Sequence, residues 1–353
     1  MSNPYLGVIE KYRSYLEIPD EMPAVTLLEG DTPLIPVPSL AKFLGGGFDL
    51  WVKFEGLNPT GSFKDRGMTV AISEALSRSA KITICASTGN TAASAAAYSA
   101  RAGMRSIVII PAGKVAAGKL AGAIAYGADV IQIDGSFDQA LDLVVKLSEK
   151  HPIALVNSLN PFRIEGQKTA AFEICDTLGS APDWLGLPVG NAGNITAYWK
   201  GFKQYHIEKR SGLPQILGVQ ASGSAPLVLG HPVDDPETIA TAIRIGRPAR
   251  GEEALLAASE SKGTIISVTD EEILSAQKKL ASAGVWVEPA SAASLAGLIK
   301  QVVNKKIELA GKKVVLVCTG HGLKDPDIII EGFGKTKVLA PDLNSLEGYI
   351  LNG

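Results

Sequence analysis

Lys64 lies between a short apolar strand pattern at residues 50–54 and a helix of small residues, in the run Gly-Ser-Phe-Lys-Asp-Arg-Gly. Burial beside an aromatic ring lowers the pKa of a lysine amine, and the free amine can then form a Schiff base with an aldehyde. The alternative is a surface lysine at a helix start, where Asp65 merely favours the helix dipole. Lys64 is therefore a candidate covalent catalyst, and the other loops decide between these two interpretations.

A second polar segment, Ser-Thr-Gly-Asn-Thr at residues 87–91, lies between a strand pattern at 81–86 and an alanine-rich helix. Its hydroxyl, amide and backbone N–H groups suit a carboxylate ligand. Because Ser and Thr also cap helices that bind nothing, an N-cap cluster is the alternative. We interpret this segment as a candidate carboxylate site.

A third loop, Gly-Asn-Ala-Gly-Asn at residues 190–194, lies between a strand pattern and a helix. Glycines let the backbone approach a phosphate, and the N-terminus of the following helix favours its charge. The loop matches neither the GxxxxGK[ST] pattern nor the GxGxxG pattern. It therefore predicts a phosphate site and argues against Walker-type ATP binding and against a nicotinamide cofactor.

The fourth loop, Cys-Thr-Gly-His-Gly at residues 318–322, follows a strongly apolar strand pattern. A buried hydroxyl at a strand end can hydrogen-bond a ring nitrogen, although a plain strand-to-turn transition explains the glycines equally well. Pyridoxal phosphate needs a lysine for its aldehyde, an anion loop for its phosphate, and partners for its ring nitrogen and its phenolic oxygen. Lys64, the 190–194 loop, Thr319 and Asn90 would supply these in turn.

The elements that must position these loops alternate between strand and helix patterns through most of the chain. Short all-apolar strands followed by helices indicate a parallel sheet covered on both faces, which is the doubly wound α/β class. Ligands of such sheets bind at the carboxyl ends of the strands, where the four loops lie. Three similar units span residues 81–149, and the chain after residue 165 has enough strands for a second sheet.

Composition excludes several other classes of protein. The chain has 353 residues, 46% of them hydrophobic, and a net charge of −2 that argues against nucleic-acid binding. The three cysteines are far apart and the four histidines form no metal-binding spacing, so we expect reduced thiols and no metal site. We see no signal peptide and no apolar run long enough for a bilayer, which predicts a cytoplasmic protein without a membrane partner.

The motifs together resemble those of threonine synthases, which share a pyridoxal-phosphate fold type with tryptophan synthase β, cysteine synthase and threonine dehydratase. The resemblance covers residues 28–325 and includes Glu-Gly-Asp-Thr-Pro-Leu at 29–34 and the lysine motif at 58–67. The lysine motif is common to the fold type. The loops at 190–194 and 319–325 and the segment Asn-Ser-Leu-Asn-Pro-Phe-Arg at 157–163 point to threonine synthases in particular.

The resemblance implies a tryptophan synthase β-like fold, with two doubly wound open-sheet domains and the cofactor in the cleft between them. The large cofactor-binding domain would comprise residues 1–50 and 156–353, and the small domain residues 51–155. Lys64 would be the catalytic residue, and arginine, asparagine and serine would hold the phosphate of the substrate. The implied cofactor-binding residues are Phe63, Lys64, Asn90, Gly190, Asn191, Ala192, Gly193, Asn194 and Thr319. The implied substrate-binding residues are Ser87, Thr88, Thr91, Asn157, Ser158 and Arg163.

The resemblance further implies a homodimeric lyase of threonine biosynthesis that converts O-phospho-L-homoserine and water into L-threonine and phosphate. A threonine or serine dehydratase of the same fold type is the nearest alternative, and it needs no site for a substrate phosphate. A non-catalytic relative that binds the cofactor or an amino acid is a second alternative, although an intact Lys64 with all its partner loops argues against it. For Arg163 alone, a surface ion pair is the simpler interpretation.

Overall fold

Within the residues that the structure describes, ten strands form two sheets that frame the candidate site. The computed structural model describes residues 4–87, 89–112, 117–135, 137–326 and 337–351. The strands are β1 Leu34–Pro36, β2 Asp49–Phe54, β3 Ile82–Ala86, β4 Arg105–Pro111, β5 Asp129–Ile133, β6 Ile153–Leu155, β7 Trp184–Pro188, β8 Gln215–Ala221, β9 Thr264–Val268 and β10 Lys313–Cys318.

Helices separate most of these strands. They are α1 Val8–Tyr12, α2 Pro38–Phe43, α3 Lys64–Ser77, α4 Asn90–Arg101, α5 Ala117–Ala125, α6 Phe137–Lys150, α7 Pro161–Leu178, α8 Gly193–Lys209, α9 Pro226–Leu229, α10 Gly251–Glu260, α11 Asp270–Ser282, α12 Pro289–Val303 and α13 Leu343–Leu351. Four 3₁₀ turns add to them at Arg13–Tyr15, Glu55–Leu57, Thr241–Ile243 and Gly322–Lys324.

The larger sheet has the strand order β1-β2-β10-β7-β8-β9, and all of its pairs are parallel except β1 with β2. Its central strand, β10, is buried on both faces. Val315 and Val317 pack into a core with α7 and α8, whereas Val314 and Leu316 pack into a second core with α11 and α12. Because side chains alternate between the two faces of a strand, burial of both faces explains why residues 314–317 are all apolar.

The smaller sheet has the order β5-β4-β3-β6 and is parallel throughout. Cys85 and Val108 on one face pack with residues of α3 and α4, while Ile84 and Ile109 on the other pack with α6. Both sheets are therefore covered on both faces by helices. The predicted doubly wound α/β class is confirmed.

Helices α3 and α7 cross in close contact because each has a glycine at the crossing. A Cβ on Gly67 would lie 2.7 Å from the Arg163 carbonyl oxygen, and one on Gly166 would overlap the carbonyl oxygen of Arg66. No larger residue fits at these positions without moving a helix backbone. The crossing holds the first turn of α3, which begins at Lys64, next to the first turn of α7.

Two strands were not predicted from the sequence, namely β1 and β9. Both are short edge strands, and most of their residues are only half-buried, so their hydrophobic pattern is weak. The predicted domain boundary at residue 51 falls inside β2, which pairs with β10 in the larger sheet. The smaller sheet ends with β6 at Leu155, close to the other predicted boundary. The division into domains at these residues stays a prediction.

Candidate active site

Lys64 is the first residue of α3, and its turn is tied to the loop that follows β10. The Phe63 N–H donates to the Thr319 carbonyl oxygen at 2.9 Å, and the His321 N–H donates to that of Gly61 at 3.0 Å. The side chain of Lys324 adds a bond from its Nζ to the Thr60 carbonyl oxygen at 2.7 Å. Since Phe54 and Cys318 are paired at the ends of β2 and β10, the two loops leave the sheet side by side.

The surroundings of the Lys64 amine lower its pKa. Burial lowers its pKa to about 7, and the positive charge of Arg163 acts in the same direction, while the charge of Glu288 opposes both. Lys64 Nζ lies 3.9 Å from the centre of the Phe63 ring, so an aromatic face replaces water on one side of the amine. A lysine in this environment can attack an aldehyde and can exchange protons at neutral pH.

A buried network of charges anchors the helix behind Lys64. Arg66 donates from Nε to Glu55 Oε2 at 2.7 Å and from Nη2 to Glu173 Oε2 at 2.6 Å. Lys53 Nζ lies 2.7 Å from the same Glu173 oxygen. The network joins β2, α3 and α7, and all four side chains are buried. It leaves α3 little freedom to turn the lysine away from the site.

Glu288 lies in the middle of the site, although sequence reasoning did not identify it. Asn90 Nδ2 donates to the two oxygens of Glu288 at 3.3 and 3.0 Å, and Thr319 Oγ1 donates to Oε1 at 3.2 Å. Glu288 precedes Pro289, the first residue of α12, so in sequence it resembles only an acidic residue at a helix start. The fold brings Lys64, Asn90 and Thr319 together around this carboxyl group.

Arg163 is a buried cation without a carboxylate partner among the described residues. It is 2% exposed, its Nη1 donates to the Val156 carbonyl oxygen at 3.2 Å, and its Nε has no hydrogen-bond partner there. Burial lowers the pKa of the guanidinium to about 10. Because unpaired buried charges are costly, a guanidinium in this position beside Lys64 indicates a site for an anion.

Asn157 and Ser158, in the segment before α7, have different hydrogen-bond partners. Asn157 accepts from the Ala86 N–H at 3.0 Å and donates to the Ala86 carbonyl oxygen at 2.9 Å, so its amide joins the ends of β3 and β6. Ser158 Oγ accepts from Asn191 Nδ2 at 3.1 Å. Ser158 therefore connects the segment before α7 with the 190–194 loop. A contact of either residue with substrate stays a prediction.

The 190–194 loop fits a phosphate group. Ala192 adopts a left-handed conformation with φ 65°, and α8 begins at the next residue, Gly193. The side-chain nitrogen of Asn194 is buried without a hydrogen-bond partner among the described residues. A helix N-terminus beside an unsatisfied buried N–H donor is suited to bind an anion.

The 87–91 segment lies at the start of α4, as the sequence predicts. The residue before the helix, Gly89, supplies no side-chain cap, and its N–H donates to Ser87 Oγ at 3.3 Å. Thr88 lies outside the described residues, and Thr91 is half-buried in the first turn of α4. The contacts of this segment with a carboxylate stay a prediction.

The residues around Lys64 fit pyridoxal phosphate by the chemistry of their polar groups. Lys64 offers an amine whose pKa is lowered to about 7, and the start of α8 offers the unsatisfied Asn194 donor. Asn90 and Thr319, which both bond to Glu288, offer further polar groups. Among the described residues, no group of three or more His, Cys, Asp or Glu side chains is arranged to hold a metal ion.

Comparisons with known proteins agree with this geometry. Residues 25–320 match the family model described as pyridoxal-phosphate dependent enzyme. The chain is 60% identical to a threonine synthase of Synechocystis sp., covering 96% of this chain and 88% of that protein. It is 57% identical to a threonine synthase of Mycobacterium leprae, covering 93% and 91% of the two chains.

A solved structure of the processed form of threonine deaminase isoform 2 from Solanum lycopersicum superimposes with a TM-score of 0.70. That protein is 25% identical and covers 83% of this chain and 80% of its own. Maize serine racemase, at 22% identity and a TM-score of 0.73 over 92% and 94% of the chains, shares the fold. Together with the lysine turn and the anion sites, these similarities show that the chain belongs to the pyridoxal-phosphate dependent enzymes and, among them, to the threonine synthase family.

Proposed function

We propose that this chain is a pyridoxal-phosphate dependent lyase that converts O-phospho-L-homoserine and water into L-threonine and phosphate, the last step of threonine biosynthesis. Identities of 56–60% to several threonine synthases over most of the chain support this reaction. The observation in the structure that carries it is Arg163. A buried guanidinium beside Lys64, without a carboxylate partner among the described residues, provides what a phosphorylated substrate needs and a hydroxy amino acid does not.

The cofactor would be held by the residues that the sequence predicts. Lys64 Nζ would bond to its aldehyde, and the 190–194 loop with the start of α8 would bind its phosphate. Asn90 would donate to the phenolic oxygen, and Thr319 would face the ring nitrogen. Bound in this way, pyridoxal phosphate withdraws electrons from the carbon next to the substrate amine. Phe63 lies beside the amine of Lys64 and keeps water from one side of it.

Lys64 also moves protons. With substrate and cofactor bound, the free Nζ of Lys64 would take the proton from Cα and then exchange a proton at Cβ. A general base works best when its pKa is close to the operating pH, and burial lowers the pKa of Lys64 to about 7. The charge network at Arg66 fixes the helix from which the lysine extends, so that one amine reaches successive carbons.

The two ends of the substrate would be bound by different loops. The segment of Ser87, Thr88 and Thr91 at the start of α4 would hold the carboxylate with hydroxyl and backbone N–H groups. Arg163 and Ser158 would hold the phosphate, with Asn157 keeping the ends of β3 and β6 in register. The link between Ser158 and Asn191 places this subsite next to the cofactor-phosphate loop.

Domain division, assembly and location belong to the same proposal. Residues 51–155 would form the small domain, while residues 1–50 and 156–353 would form the large one.

The chain would act as a homodimer in the cytoplasm, and its three buried free cysteines are consistent with a reducing compartment. Among the described residues, no helix is both long and apolar enough to span a bilayer. Sedimentation velocity would measure the oligomeric state, and a monomer at all concentrations would contradict the dimer.

The deciding experiment is a comparison of two products. The purified protein, loaded with pyridoxal phosphate, is given O-phospho-L-homoserine in one assay and L-threonine in another. We expect equimolar phosphate and L-threonine in the first assay, and little 2-oxobutanoate in the second. Rapid formation of 2-oxobutanoate without phosphate release from phosphohomoserine would instead establish a dehydratase.

A further inference from the structure

Glu288 lies between two residues to which the proposed function assigns contacts with the cofactor ring. Its carboxyl group accepts from Asn90 on one side and from Thr319 on the other, and the residue is 4% exposed. Gly320 makes the close approach possible, because a Cβ at that position would lie 2.5 Å from Glu288 Oε1. The carboxyl group is thus held in place by the backbone of the Thr319 loop as well as by its hydrogen bonds.

The hydroxyl of Thr319 has a second partner that limits how it can point. Its Oγ1 lies 2.9 Å from Ser291 Oγ, on α12, and either oxygen can donate in that contact. Ser291 Oγ also accepts from the Gly320 N–H at 2.9 Å. Because a hydroxyl has one proton to donate, Thr319 can donate to only one of Glu288, Ser291 and a ligand at a time. A change in the protonation of Glu288 therefore changes whether Thr319 offers a proton or a lone pair to the site.

Burial and the neighbouring groups shift the pKa of the Glu288 carboxyl group in opposite directions. Burial raises the pKa of its carboxyl group, while the Asn90 and Thr319 hydrogen bonds and the positive charges of Lys64 and Lys324 act against that shift. The third titratable group that faces it is the thiol of Cys318, at the end of β10. The net effect is a raised pKa, so the group changes charge at a higher pH than an ordinary glutamate.

We propose that Glu288 is a positioning residue that sets the direction of the hydrogen bond between Thr319 and the ring nitrogen of the cofactor. When Glu288 is ionised, the Thr319 proton points to it, and Thr319 offers a lone pair, which suits a protonated ring nitrogen. When Glu288 is protonated, it donates to Thr319, whose own proton is then free for an unprotonated ring nitrogen. This inference rests on the proposed function of Thr319 as the partner of that nitrogen.

The test measures the protonation and hydrogen bonding of the ring nitrogen directly. The enzyme is loaded with pyridoxal phosphate labelled with ¹⁵N in the ring, and the ¹⁵N chemical shift is recorded as a function of pH. We expect a pH-dependent change in the wild type, loss of that change in Glu288→Gln, and its return at a displaced pH in Glu288→Asp. Thr319→Val should also abolish the change, because it removes the hydroxyl that connects Glu288 to the ring.

The matched control is Glu271→Gln, the same substitution at an exposed position of α11, which should leave the titration curve of the wild type unchanged. If the ¹⁵N chemical shift of the wild type stays constant over the pH range in which the enzyme is folded, the proposal is overturned, whatever the variants do. The same titration in Glu288→Gln as in the wild type also overturns it. Failure of the proposed function is distinguishable, since it would appear as wild-type protein that binds no cofactor or releases no phosphate.

Discussion

Gly166 of α7 packs directly on the carbonyl group of Arg66 in α3, so closely that any Cβ at residue 166 would overlap that oxygen. Lys64 lies two residues before Arg66, and Arg163 lies one helical turn before Gly166. The contact between a glycine and a backbone carbonyl thereby brings the amine of Lys64 next to the buried guanidinium of Arg163. The packing of α3 against α7 therefore affects the pKa of Lys64, because it sets how near the charge of Arg163 lies to the amine.

Gly166→Ala is expected to destabilise the protein by about 1–3 kcal/mol, the usual cost of overpacking a close-packed contact. The added methyl group must push α3 away from α7, because the atom that it meets belongs to backbone rather than to a flexible side chain. Urea unfolding of the cofactor-free protein measures the change.

The matched control is Gly348→Ala in α13, where a Cβ has nothing within 4 Å. Alanine there should stabilise the helix slightly or leave the midpoint unchanged. Equal midpoints for Gly166→Ala and the wild type would show that α3 and α7 have room to separate.

The rate of cofactor attachment should follow the protonation of Lys64. Because the pKa of Lys64 is lowered to about 7, attachment should be slow at a pH below 7, rise through that value, and level off above it. An ordinary lysine would instead keep accelerating up to about pH 10.4. Stopped-flow absorbance after mixing with pyridoxal phosphate records the profile.

Lys64→Ala should lose the absorbance of the covalently bound cofactor and the label that borohydride fixes. Lys146→Ala, which removes an exposed lysine of α6, should keep both. A wild-type profile that continues to rise steeply to pH 10 would refute the lowered pKa.

Replacement of Arg163 by glutamine should weaken substrate binding and change the lysine as well. Loss of a charge-assisted contact of about 1.5–3 kcal/mol raises KM for O-phospho-L-homoserine roughly 10- to 150-fold. Since Arg163 also lowers the pKa of Lys64, the midpoint of cofactor attachment should move to higher pH. Steady-state kinetics and the attachment profile of the same variant measure the two effects.

Arg105→Gln provides the control, because Arg105 forms an exposed ion pair with Asp129 on the smaller sheet. That variant should keep the wild-type KM and the wild-type attachment profile. An unchanged KM in Arg163→Gln would show that the substrate phosphate does not bind at Arg163.

Glu173 should contribute stability that depends on pH. Burial alone would raise the pKa of its carboxyl group, but the charges of Arg66 and Lys53 hold that pKa far below its ordinary value. A carboxyl group with a lowered pKa stabilises the folded state above the pKa of the unfolded chain, and this contribution is lost as pH falls toward the folded value. Removing its charge leaves two buried cations short of a partner, which costs about 3–5 kcal/mol.

Glu173→Gln should therefore unfold at lower urea concentration at neutral pH, and its stability should fall less steeply with acid than that of the wild type. Glu10→Gln is the comparison, because Glu10 pairs with Arg13 at the surface, where such pairs contribute up to about 1 kcal/mol. Parallel acid profiles for Glu173→Gln and the wild type would argue against the proposed role of the charge network.

The loops of the site could be predicted because each has a local signature. Lys64, Asn90 and Thr319 all follow short apolar strands, and strand ends of parallel sheets meet at one edge. The pairing of Phe54 with Cys318 then places the first and last of these loops together. Neither the periodicity nor the spacing of the sequence states which strands are neighbours, and the strand order was not predicted. The needs of pyridoxal phosphate and the resemblance to a known family grouped the loops into one site.

The roles of Glu288 and of the charge network could not be predicted, because the contacts that identify them form only in the tertiary structure. Lys53 reads as a polar residue in a strand and Glu173 as a surface residue of a helix, yet both are buried. Only the crossing of α3 and α7 brings Glu173 to Arg66. The edge strands β1 and β9 were missed for another reason, since short half-buried strands carry little hydrophobic pattern.

The position of β10 has a consequence for how the protein is made. Among the described residues this strand is the last in chain order, yet it lies between β2 and β7 in the larger sheet. Until residue 318 has been synthesised, the earlier strands lack their central neighbour, and the turn of Lys64 lacks the backbone that holds it. A nascent chain that stops before residue 318 therefore contains Lys64 without the backbone partners of its turn.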